Sequence, residues 1–63
     1  MKSRLKKGMY VGNEITGIAW VVEAAGPKRV LLRRLMSSSR FYENRDIVEK
    51  NVRLGYWSIA EEV

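Results

Sequence analysis

The stretch Ile15-Thr16-Gly17-Ile18-Ala19-Trp20-Val21-Val22-Glu23-Ala24-Ala25-Gly26-Pro27-Lys28-Arg29-Val30-Leu31-Leu32-Arg33-Arg34-Leu35-Met36 decides the fold. Its first ten residues alternate. Ile18, Trp20, Val22 and Ala24 share one face of an extended chain, and Gly17, Ala19, Val21 and Glu23 share the other. Their β-branched and aromatic content favours a strand. Ala25-Gly26-Pro27-Lys28 stops that strand, because proline has no N–H with which to continue a ladder. The segment Arg29–Met36 admits two readings. Val30, Leu31, Leu32, Leu35 and Met36 make a helical stripe, or Val30 and Leu32 point inward from a strand with a bulge near Arg33–Arg34. A short segment directly after a Gly-Pro turn and a long strand favours the second, a hairpin of 15–24 with 29–36.

Outward from the hairpin, Gly8-Met9-Tyr10-Val11 reads as a short strand and Gly12-Asn13-Glu14 as a turn. Ser37-Ser38-Ser39 reads as a loop, and Arg40–Glu43 as a strand with two aromatics. Asp46 followed by Glu49 has capping-box spacing, which predicts one helical turn over 46–50, closed by Asn51 in the left-handed conformation. Residues 51–60 return as a strand, with Gly55 as a bulge or a point of close approach. The expected organisation is a basic arm over 1–7, one β domain over 8–60 and an acidic end over 61–63.

This order of elements resembles that of small SH3-like barrels, in which a short helical turn precedes the last strand. The resemblance is one of architecture over residues 8–60 and implies a mainly β, five-stranded barrel. Barrels of this type bind nucleic acids, peptides or other proteins, so the resemblance does not select a function.

Composition narrows the chemistry. The chain has 63 residues, with neither cysteine nor histidine. Disulfides, zinc-thiolate sites and His-based nucleophilic machinery are therefore unavailable. No phosphate-cradling glycine loop is present. Glu43, Asp46 and Glu49 lie close in sequence, but a helix cap with solvated neighbours explains them. The expectation is a non-enzymatic protein without cofactor or metal. A domain this small buries only about 60% of its unfolded surface. Its core is therefore expected to use Trp20, Trp57, Phe41, Tyr10, Tyr42 and Tyr56, with the two tryptophans inward and Tyr10, Tyr42 and Tyr56 better placed for surface contacts. Positive charge at Met1–Lys7 without a following apolar run argues against a signal peptide, and no segment reaches membrane-spanning length. With no cysteine, this predicts a cytoplasmic location.

Charge supplies the functional signal. The net charge is +5, and it is uneven. Residues 1–34 hold eight Lys or Arg against two Glu, and residues 35–63 hold four against five acids. Lys2, Arg4, Lys6 and Lys7 form a basic arm able to neutralise successive phosphates, or merely to aid solubility. Lys28, Arg29, Arg33 and Arg34 lie on the hairpin, with Arg40 across the serine loop. Arg29 and Arg33, four residues apart on one strand face, would span about 13 Å and a pair of phosphates. Tyr42 or Tyr56 would stack on a base. The first expectation is nucleic-acid binding, DNA or RNA. The alternative is a small adaptor or inhibitor that meets an acidic protein surface through Leu31, Met36 and Tyr42. A third option is weak self-association through an edge strand, Gly8–Val11 or Arg40–Glu43.

Overall fold

The computed structural model describes residues 5–60. Its elements are β1 (Tyr10–Asn13), β2 (Ala19–Ala25), β3 (Arg29–Arg34), β4 (Arg40–Asn44), α1 (Arg45–Leu54) and β5 (Trp57–Ala60). The strands form one antiparallel sheet in the order β4-β3-β2-β1-β5. Among the described residues β4 and β5 do not pair, so the sheet stays open. The chain is mainly β and compact, with a Cα radius of gyration of 10.5 Å. No helix among the described residues is long and apolar enough to cross a membrane.

The ambiguous segment is a strand. Val30 and Leu32 are completely buried, which is what the inward phase requires. The hairpin loop is Pro27–Lys28, closed by the Gly26 N–H donating to the Arg29 carbonyl at 2.9 Å. The bulge lies in β2 and not near Arg33–Arg34. Pairing runs Val22 with Leu32 and then Ala24 with Leu31, so the register shifts at Glu23. This slip turns Ala24 from the inner face to the outer one, because residues directly opposite in a ladder share a face.

The core is aliphatic. Leu5, Met9, Val11, Val22, Val30, Leu32 and Val48 are buried, with Trp20, Val52, Trp57 and Ile59 packed partly against them. Of the expected aromatic core, Trp20 and Trp57 take part, their ring centroids 5.3 Å apart, and Phe41 meets Trp20 edge-on at 6.1 Å. Tyr42 and Tyr56 are exposed. Tyr10 is half-buried on the outer face, opposite Val21. Leu5, inside the expected basic arm, is 3% exposed. The folded body therefore reaches back to Leu5, and the exposed Lys6 and Lys7 follow directly on a buried anchor.

The helix corrects the expected single turn. It runs for ten residues, and Val48 and Val52, four apart, carry its inner face. Asn44 occupies the N-cap without a side-chain hydrogen bond, and Asp46 sits in the first turn. There its charge suits the positive end of the helix. Asn51 is helical, its side-chain amide donating to the Ile47 carbonyl at 3.0 Å. Gly55 holds the left-handed position, with φ 87°. The Gly55 N–H donates to the Val52 carbonyl and the Tyr56 N–H to the Asn51 carbonyl, a Schellman closure. The last strand is thereby confined to Trp57–Ala60.

Candidate basic surface

Alternation along β3 divides its arginines between two faces. Arg29, Leu31 and Arg33 point away from the core, while Arg34, opposite Trp20, follows the inner phase of Val30 and Leu32. Arg33 and Arg34 therefore leave the strand on opposite faces of the sheet. Arg29 and Arg33 do share a face, but their surroundings differ.

Arg33 is engaged. Its Nε donates to Glu23 Oε2, and its Nη1 donates to the Ser37 carbonyl at 3.1 Å. Arg40 places its Nε 3.5 Å from the other oxygen of Glu23. One carboxylate thus serves two guanidinium groups. Of the Arg29–Arg33 pair expected to span two phosphates, Arg33 is thus paired with a carboxylate and Arg29, among the described residues, is not. The sequence reading missed Glu23. The signal was available, for Glu23 is the one acid between Ile15 and Arg40.

Arg29 has no carboxylate among the described residues. Its guanidinium lies 4.8 Å from the centroid of the Tyr42 ring, a cation–π arrangement. The neighbouring Lys28, in the hairpin loop, is exposed. Tyr42 is 60% exposed: it points outward, opposite Leu31, from β4, which is an edge strand among the described residues. An open concavity of about 490 Å³ is lined by the small residues Ala24, Ala25, Gly26 and Pro27 together with Lys28, Arg29 and Tyr42.

Arg45 braces this end of the sheet, and the sequence reading did not single it out. Its Nη1 donates to the Gly26 carbonyl at 2.8 Å, its Nη2 to the Leu5 carbonyl at 3.2 Å, and its Nε to Glu49 Oε2 at 3.1 Å. Its backbone N–H donates to the Lys28 carbonyl at 2.8 Å. One residue at the start of α1 thus ties together the helix, the N-terminal segment and the β2–β3 turn next to Arg29.

The other expected site residues are dispersed. Lys6 and Lys7 are exposed, and neither makes an ion pair with the described residues. Lys2 and Arg4 lie outside the described residues. Tyr56 is half-exposed and precedes β5, the opposite edge of the sheet from Tyr42. Its carbonyl accepts from the Glu14 N–H at 2.8 Å. Tyr42, in one edge strand, and Tyr56, just before the other, therefore lie toward the two ends of the sheet order. Of the two expected edge strands, Arg40–Glu43 lies at an edge within β4, whereas β1 is central, paired with both β2 and β5.

The chain was compared with protein-family models, curated proteins and solved structures, and none of them matches it.

Proposed function

We propose that this protein is a nucleic-acid-binding domain whose contact face is the β2–β3 loop together with Tyr42. The observation that carries this reading is the pairing of Arg29 with an exposed Tyr42 beside Lys28, at the rim of an open concavity. These two cations make no ion pair with the described residues, so binding a phosphate would not first require breaking one. Lys6 and Lys7 add exposed charge, and Arg34 adds more on the inner-face side. Lys2 and Arg4 enter on the sequence alone. The role is one of binding without catalysis, in the cytoplasm, supported by the lack of histidine and cysteine in the sequence. The architecture is read as an SH3-like barrel. The strand order and the contacts of α1 with both edge strands, β4 and β5, support that reading.

The test is a salt series with a labelled duplex and, in parallel, a labelled single strand. For the duplex, the logarithm of affinity should fall against the logarithm of salt by about 0.9 per phosphate neutralised. Affinity no greater than that of an unrelated protein of equal charge would defeat the reading.

One observation favours a protein partner instead. Ala24, Leu31 and Tyr42 stand in register as an outward row across three strands, and Met36 is fully exposed in the β3–β4 turn. An acidic protein could cover that row and meet Arg29. Met36→Asp, at the far end of β3 from Arg29, should then weaken capture of a single acidic partner while leaving oligonucleotide binding nearly unchanged.

A further inference from the structure

We infer that the nucleic acid is single-stranded, and that one unpaired base enters the concavity beside Arg29 and stacks on Tyr42. This inference rests on the nucleic-acid reading above and names the class of ligand.

The argument begins with what Tyr42 can reach. In a duplex the base faces are buried against their neighbours, so an exposed tyrosine ring meets only sugars, phosphates and base edges. An unpaired base offers its whole face. Stacking of such a base on an aromatic side chain is the device by which single strands are held without regard to sequence. Tyr42 fits that task for two reasons. Tyr42 is 60% exposed, and the Arg29 guanidinium, 4.8 Å from the ring centroid, takes up one ring face, so the base would stack on the other. The cation is thereby held at the aromatic group without a carboxylate. A base on the ring would bring its own phosphate within the reach of Arg29 and Lys28.

The concavity supplies room. Its small lining residues, Ala24, Ala25 and Gly26, present little side-chain bulk, so a flat ring can approach the backbone. The β2 register shift at Glu23 is what turns Ala24 outward, opposite Leu31 and beside this space. Arg45 holds the carbonyl of Gly26, one of the lining residues. Pocket, ring and cations thus all belong to the β2–β3 loop and the adjoining edge strand.

The experiment measures fluorescence anisotropy with three labelled probes of equal length: a twelve-nucleotide mixed-sequence DNA strand, its duplex, and an abasic strand with the same phosphates. The wild-type chain should bind the strand at least several-fold more tightly than the duplex or the abasic probe. Tyr42→Ala should weaken strand binding by about tenfold, the order expected for one lost base stack, and should leave duplex binding unchanged. Tyr42→Phe should retain the strand preference. Tyr42 is exposed, and circular dichroism of each variant checks that the fold is kept. If strand, duplex and abasic probe bind alike and Tyr42→Ala changes none of them, the single-strand inference is overturned while nucleic-acid binding stands. If no probe binds better than to a control protein of equal charge, both fail together.

Discussion

Arg33 donates to Glu23 across the β2–β3 ladder, whereas Arg29, four residues earlier on the same face of β3, lies over the ring of Tyr42. Two arginines that look equivalent in sequence are thus in different electrostatic states. The first is held by a carboxylate that also faces Arg40, and the second is available to an anion.

Removing that carboxylate should expose latent charge. Glu23→Gln frees Arg33 and Arg40, so duplex affinity should rise at low salt. The salt dependence should steepen by about one to two units of slope, one for each cation recruited. Anisotropy at four salt concentrations reads this directly. An unchanged slope would mean that Glu23 does not restrain these arginines.

Arg45 should matter for both stability and binding. Arg45→Met removes its bonds to the Gly26 and Leu5 carbonyls and to Glu49, and should cost about 1–3 kcal/mol, the range for hydrogen bonds to a charged group left partly unmade. Because the Gly26 carbonyl belongs to the binding loop, affinity for the single strand should fall as well, under conditions where the variant is folded. Urea denaturation and anisotropy on the same sample separate the two effects.

Gly55 should be intolerant of any side chain. Its φ of 87° is left-handed, a conformation that costs an L-residue roughly 1–2 kcal/mol. A Cβ there meets no atom within 4 Å, so Gly55→Ala isolates the backbone effect from crowding. In a domain of this size the thermal midpoint should drop by about 4–8 °C per kcal/mol. Gly55→Asn should lose less, since asparagine tolerates that region better.

The small core leaves little reserve. Leu32 and Val48 are completely buried, from the sheet and the helix respectively. Leu32→Ala should cost about 2–5 kcal/mol, a large share of the total stability a small domain possesses. Val48→Ala should loosen the packing of α1 on the sheet, since it removes two methyl groups from a fully buried position. Near-ultraviolet dichroism of the tryptophans reports both changes, since Trp20 and Trp57 pack against this core.

These particulars show where the sequence was legible. Alternation from Ile18 to Val22 and the Gly26-Pro27 stop carried the β2–β3 hairpin, because each is a local property of the chain. Helix length was not legible from its start. Asp46 and Glu49 looked like a cap, and the true terminator was Gly55, whose left-handed turn lets the Gly55 and Tyr56 N–H groups reach the Val52 and Asn51 carbonyls. The bulge at Glu23 was hidden because it is a matter of pairing with β3, and it moved Ala24 to the outer face. The site was legible as a set of basic residues. The sorting of that set was not, because Glu23, Tyr42 and Arg45 act on it from other strands and from the helix.

The measurement closest to the central claim is an ¹H–¹⁵N NMR titration of the protein with the twelve-nucleotide strand at low salt. The account predicts the largest shift changes at Gly26, Lys28, Arg29 and Tyr42, smaller ones at Lys6 and Lys7, and reversal on raising the salt. Changes centred on Trp57–Ala60 or on Met36, with the β2–β3 loop unmoved, would contradict it.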